Sequence, residues 1–202
     1  MSYSDFKSIE DIQQKFNISV ISGASLFSET EDIIPCLMLR DILQENVSLA
    51  LNINTEKARS EMIIAPVLIE VRRIFERKIS LFSGTEFNID DSLGLTGFCD
   101  FILSGSPNQI FLKYPIVCIT EAKNENIRSG YAQCIAEMIA AKLFNDKNST
   151  DISYILGVVT TGSNWKFLKY ENHRVFIDFD EYLISQISKI LGILQKQSEK
   201  TS

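Results

Sequence analysis

Ile116-Val117-Cys118-Ile119-Thr120-Glu121-Ala122-Lys123 decides the fold, together with Thr96-Gly97-Phe98-Cys99-Asp100-Phe101-Ile102-Leu103 before it. Both segments read as buried strands. A buried strand rarely carries an ionisable group, because desolvating an unpaired charge is costly. These two carry two carboxylates and an amine. Carboxylates can hold a divalent cation, and a lysine can steer or activate water. That set is what metal-dependent hydrolysis of a phosphodiester needs.

Strand geometry makes the set workable. Residues two apart in a strand share a face, so Glu121 and Lys123 point together while Ala122 turns away. Between the strands, Ser104-Gly105-Ser106-Pro107-Asn108-Gln109 is a strong turn signal. An antiparallel hairpin is therefore expected, with Asp100 brought beside Glu121. Glu-x-Lys is also a common pairing that can simply meet solvent at a strand end. Asp100 and the helices on either side weigh toward function.

The pattern resembles the PD-(D/E)XK nuclease superfamily. Its signature is a helix glutamate, an Asp on one strand, Glu-x-Lys on the next, and a following helix that often supplies a Gln. The matching positions are Glu61, Asp100, Glu121, Lys123 and Gln133, over a span from about Ser60 to Asp178. Cys99 stands where the name-giving Pro would be, and Gly97 gives the Gly-x-x-Asp variant also found in that superfamily. The resemblance implies a restriction endonuclease-like α/β fold, with a central mixed sheet flanked by helices. It further implies Mg²⁺- or Mn²⁺-dependent hydrolysis of DNA, with Asp100, Glu121 and Glu61 toward the metal and Lys123 orienting water.

Two glutamates compete for the helix position. Glu61 and Glu70 are nine residues apart, about half a turn out of phase in an α-helix. Glu61 precedes the apolar run Met62-Ile63-Ile64 and is preferred. Glu70 precedes Val71-Arg72-Arg73 and reads as a solvated face. Gln133 lies ten residues after Lys123, where it can hydrogen-bond a water or a phosphate oxygen or serve as a boundary helix residue. Glu137, one turn on, shares its face and can support Gln133 or Lys123. His173, the only histidine, reads as a surface hairpin tip. Trp165 and Phe167 read as core, and Asp90 and Asp91 as turn residues.

At 202 residues the chain is expected to form one domain, with an N-terminal helical part to about residue 55 and the nuclease-like core over about 56–196. A hydrophobic content of 45% with 23% charged residues fits an ordinary globular protein. The net charge of −6 argues against coating nucleic acid by bulk electrostatics. Bound cations reverse the local sign in a carboxylate site, so a nuclease is still allowed. A partner protein that delivers DNA fits that acidity, and a homodimer that cuts both strands is a further option. No stretch has the length of a membrane span, and the start lacks a basic-then-apolar signal. Cys36, Cys99, Cys118 and Cys134 have neither Cys-x-x-Cys spacing nor nearby His, so zinc is not expected and a reducing cytoplasmic setting fits. Cys99 and Cys118 are expected on the face opposite the trio. Walker, dinucleotide, nucleophile-elbow and His-Glu-x-x-His motifs are absent from the sequence.

Helices are predicted over residues 4–16, 33–51, 55–78, 126–145 and 181–196, with Thr55 as a cap and Pro66 kinking the third. Strands are predicted around 85–89, 153–160, 165–170 and 174–179, besides the two quoted. The order gives a mixed sheet with helices on both faces. A non-catalytic binding or scaffolding protein on the same fold is the competing functional class. The acidic balance favours it, and the intact trio favours chemistry.

Overall fold

Helices on both faces of one eight-stranded mixed sheet make up the computed structural model, which describes residues 2–150 and 152–198. The strands are β1 (Ser19–Ser22), β2 (Ser80–Glu86), β3 (Phe98–Ser104), β4 (Ile116–Ala122), β5 (Ile155–Thr160), β6 (Asn164–Glu171), β7 (Arg174–Ile177) and β8 (Tyr182–Leu183). Their order is β1-β7-β6-β5-β4-β3-β2, with β8 added to β6. β4 runs parallel to β5 and β1 parallel to β7, while the other pairs are antiparallel. Every residue of β4 and β5 is buried. That explains their near-continuous apolar runs, since a central strand with covered faces has no solvent side to make polar.

The helices are α1 (Ile9–Phe16), α2 (Leu37–Ile53), α3 (Glu56–Arg59), α4 (Ala65–Ile74), α5 (Tyr131–Lys147) and α6 (Ile187–Ser198). α1 and α5 cover one face, in a core with Ile12, Ile119, Ile135, Met138 and Val159. α2, α4 and α6 cover the other, around Leu39, Leu68, Val117, Trp165, Phe167 and Leu191. Two contacts fix α5. At its C-terminal end the Asn145 amide donates to Ile116 O and accepts from Ile116 N–H, both at 2.8 Å, clipping the helix to the start of β4. Midway, Gly157 lets it lie on β5, because a Cβ there would stand 2.4 Å from Met138 Sδ. The first half of α5 is thereby carried toward the C-terminal end of β4.

Several expected boundaries move. The first predicted helix divides into a 3-10 turn at Tyr3–Asp5 and α1, and the run after it is the edge strand β1. α2 starts at Leu37, after Pro35 and the N-cap Cys36. The strand expected near Thr85–Ile89 begins earlier, at Ser80, and the closing helix is preceded by β8 and a 3-10 turn. Trp165 and Phe167 are fully buried, as expected, and His173 stands at the tip between β6 and β7 with φ 57°. Asp90 bridges to Leu95 within a turn. Cys118 lies on the face away from Glu121, but Cys99 packs in the core on the α5 side, against the expectation for it.

Thr55 caps α3 as expected, its hydroxyl accepting from Ala58 N–H at 3.1 Å. The long helix predicted beyond it is interrupted. Ser60–Ile64 is a π-helical segment, in which Ala65 N–H reaches back to Ser60 O. Pro66 lies at the first turn of α4. It has no N–H to give the carbonyl four residues back, and Met62 O accepts from Asn46 Nδ2 at 3.3 Å instead. A break in the ladder does occur at Pro66, and the wide turn before it resets which residues face the sheet.

Candidate active site

The hairpin expected between the motif strands is present, with Phe101 opposite Thr120 and Ile102 opposite Ile119. The ladder stops just before Asp100 and Glu121. Beyond it β4 stays with β5, Glu121 facing Val159 and Ala122 facing Thr160. The Asp100 carboxylate crosses the gap and accepts Ala122 N–H on Oδ2 at 2.8 Å. A backbone donor freed by the splaying is thus satisfied by the Asp side chain. Local splaying puts both acidic groups at one end of the sheet.

Glu121 is 1% exposed. Its Oε1 accepts from Lys123 Nζ, and its Oε2 is buried with no hydrogen-bond partner. Lys123 is held from both ends: its N–H donates to Thr160 O at 2.8 Å, and its side chain passes beside Gly130. A Cβ on Gly130 would come within 2.6 Å of Val159 Cγ1 and 3.2 Å of Lys123 Cγ and Cε. Gly130 has ordinary helical backbone, so it is required for space and not for conformation.

Burial pushes the Glu121 carboxyl up to about 8, and the charge of Asp100 adds to that against the pull of Lys123. Burial also raises Asp100, opposed by the Ala122 N–H and by Lys123. Burial alone would lower Lys123, but Glu121, Glu56 and Asp100 together hold it above its ordinary value. Carboxyls this close cannot all ionise cheaply without a cation between them.

Glu61, preferred from the sequence, lines the groove that reaches Asp100, a cavity of about 290 Å³ also bordered by Glu56, Ser60, Ser83 and Gly84. Its side chain is 62% exposed and pairs with Lys57 at 3.8 Å. Glu56, exposed in the first turn of α3, borders the same groove as Asp100. Partial burial raises it, Lys123 opposes the rise, and Asp100 adds to it. The sequence reading missed Glu56. Its signal was the position directly after the cap Thr55, in the first turn of a helix.

Glu70 is not a solvated carboxylate. It is almost fully buried, takes Arg73 Nε at 2.6 Å and Nη2 at 2.7 Å, and accepts Cys36 N–H at 2.9 Å. Hydrogen bonding from Arg73 brings it down to about 2 despite its burial, with the Cys36 N–H assisting. It ties α4 to the N-terminus of α2, a structural role. The Arg pair in Val71-Arg72-Arg73 was the clue, since a buried carboxylate needs such a partner.

Gln133 and Glu137 meet as expected, Gln133 Nε2 donating to Glu137 Oε1 at 3.1 Å. Glu137 is fully buried and its Oε2 has no partner. Burial holds its carboxyl well above the ordinary value and Glu121 pushes the same way, while Gln133 opposes. Gln133 thus bonds Glu137 and makes no hydrogen bond to Asp100, Glu121 or Lys123.

Among the described residues, no three His, Cys, Asp or Glu side chains stand in ready ligating geometry. The donor set still suits a hard cation. Mg²⁺ is commonly held by one or two carboxylates, with waters and substrate phosphate completing the shell. Asp100 and Glu121 supply two such groups, and Glu121 Oε2 is a buried oxygen with no hydrogen-bond partner. No helix among the described residues is long and apolar enough to cross a membrane. Comparison with protein-family models gives no match for this chain, and comparison with curated proteins gives none either.

Proposed function

We propose that the chain is a divalent-metal-dependent nuclease acting on DNA, with a restriction endonuclease-like core and its active site at the splayed ends of β3 and β4. The observation that carries this reading is Glu121. A buried carboxylate with one oxygen on Lys123 and the other unpartnered, beside Asp100, is costly unless a cation or substrate uses it. Asp100 and Glu121 would hold Mg²⁺ or Mn²⁺, and Glu56 or Glu61 would take a metal-bound water. The metal, when bound, supplies Lewis acidity toward the phosphoryl oxygen and an acidified water. Lys123 orients that water and stabilises charge on the phosphoryl oxygen. Gln133 holds Glu137, and Glu137 keeps its charge or its proton beside Glu121.

A second reading is a binding or scaffolding protein. The contact between Lys123 and Glu121 favours it, because it already gives the buried carboxylate a cationic partner. The net charge of −6 does so too. A panel of labelled single- and double-stranded DNA, incubated with Mg²⁺ or Mn²⁺, separates the readings. The nuclease cleaves in metal and not in chelator, and the Asp100→Asn variant does not cleave. Metal-dependent cleavage retained in Asp100→Asn would overturn the assigned site, and none in the wild type would remove the nuclease reading.

A further inference from the structure

A cleft of about 460 Å³ opens next to the trio, beyond the C-terminal ends of the parallel strands β4 and β5. In open α/β sheets ligands settle in crevices at that end of the strands. Arg59 and Lys166 line it, 8% and 9% exposed. Neither has a carboxylate partner among the described residues. Arg59 gives Nη1 to Thr161 O at 2.8 Å and Nη2 to Asn54 Oδ1 at 2.9 Å, while its Nε is buried and unpartnered. Lys166 gives Nζ to Phe179 O at 2.9 Å. Two buried cations that meet only neutral oxygens are expensive, and an anion in the cleft relieves the cost.

The rim points the same way. Arg128 is exposed at the edge of the cleft, and its side chain makes no hydrogen bond or ion pair among the described residues. The two carboxylates present are engaged by amides: Glu125 accepts from Asn54 Nδ2 at 3.0 Å and Glu181 from Asn164 Nδ2 at 2.6 Å. On the sheet, Glu121 pairs with Val159 and Val159 with Lys166, so these three side chains form one row. Lys166 therefore lies two strand spacings from Glu121, about 10 Å.

We infer that this cleft binds the phosphate backbone of a single DNA strand, beside the phosphate placed over Glu121 and Lys123. The inference rests on the nuclease reading for the position of the scissile group, but strand binding itself needs neither metal nor cleavage. Cations at the floor of a concavity this small admit a flexible strand. A stiff duplex cannot bring its backbone down to that floor.

The test is fluorescence anisotropy of a labelled oligodeoxythymidylate with the full chain in EDTA, over a range of salt. Wild type binds the strand, and Arg128→Glu, at an exposed position, weakens binding about tenfold without changing the melting temperature. Lys166→Gln weakens it similarly and lowers the magnitude of the log–log salt slope by about 0.7, the loss expected for one phosphate contact to a single strand. Inorganic phosphate competes far more weakly than unlabelled strand. Equal affinity in wild type and folded Arg128→Glu would overturn the inference. Duplex binding as tight as strand, or phosphate competing equally well, would also overturn it. If Lys166→Gln does not fold, Arg128→Glu decides alone. Variant-sensitive binding with no cleavage in Mn²⁺ would retain this cleft and remove the nuclease reading. Cleavage with variant-insensitive binding would do the reverse.

Discussion

Gly130 and Lys123 touch so closely that the glycine's missing side chain is part of the lysine's seat: a Cβ would stand 3.2 Å from both Cγ and Cε. The start of α5 thereby holds Lys123 over Glu121. Gly130→Ala must also meet Val159 Cγ1 at 2.6 Å, so the helix start or the lysine has to move. The expected cost is about 1–3 kcal/mol, as for other overpacked cores. Cleavage should fall by more than the stability loss explains. Thermal melts and single-turnover cleavage on the same preparation check both, and an Ala variant with unchanged rate would show that the seat is not tight.

Lys123 itself gives a sharper contrast. Lys123→Ala should retain metal binding, since lysine is not a ligand, yet lower single-turnover cleavage about a hundred- to thousand-fold. Lys123→Arg should rescue poorly, because the guanidinium is larger, planar and holds its proton. Rescue by Arg to near wild-type rate would reduce Lys123 to a counter-ion for Glu121.

Glu121 makes stability depend on pH in a defined direction. Its carboxyl rises from 4.5 to about 8 on folding, so the folded state holds the proton more tightly than the unfolded chain. Ionising it therefore costs stability. The cost is absent below about pH 4.5, grows through the window and is complete above about pH 8. In chelator, Glu121→Gln should melt above wild type at pH 8 and level with it at pH 4.5. A Gln variant less stable at both ends would mark Glu121 as a structural ion-pair partner.

The opposite sign holds at Glu70. Folding lowers its carboxyl from 4.5 to about 2, so its stabilisation is full above about pH 4.5 and is lost as pH falls toward 2. Glu70→Gln should cost about 1.5–3 kcal/mol at neutral pH, the range for hydrogen bonds to a charged group. The gap between variant and wild type should close in acid, read by denaturant melts at several pH values. A gap that persists unchanged at pH 2 would place the loss in packing.

The two motif strands, their antiparallel pairing and the grouping of Asp100, Glu121 and Lys123 were legible because period two and burial act over a few residues. Gln133 with Glu137 was legible for the same reason, at a spacing of four in a helix. Glu56, Glu70 and Gly130 were not. The π-helical turn at Ser60–Ile64 breaks the 3.6-residue count on which the choice between Glu61 and Glu70 depended. Glu70's burial depends on α2 arriving at Cys36, and Gly130's necessity depends on Val159 in the next strand, beyond the whole of α5. Those are tertiary meetings, with no local pattern to announce them. Cys99 was misplaced because strand alternation was extended into the splayed end of β3, where its ladder with β4 has already stopped.

The central claim is that Asp100 and Glu121 form a divalent-metal site. A crystal soaked in Mn²⁺, with anomalous data collected at the manganese edge, tests it most directly. The expected result is one strong peak touching Asp100 and Glu121 Oε2, at the short oxygen distances of a hard cation, with Lys123 Nζ shifted off Glu121 Oε1. An empty site at saturating Mn²⁺, with Lys123 still on Glu121, would contradict it.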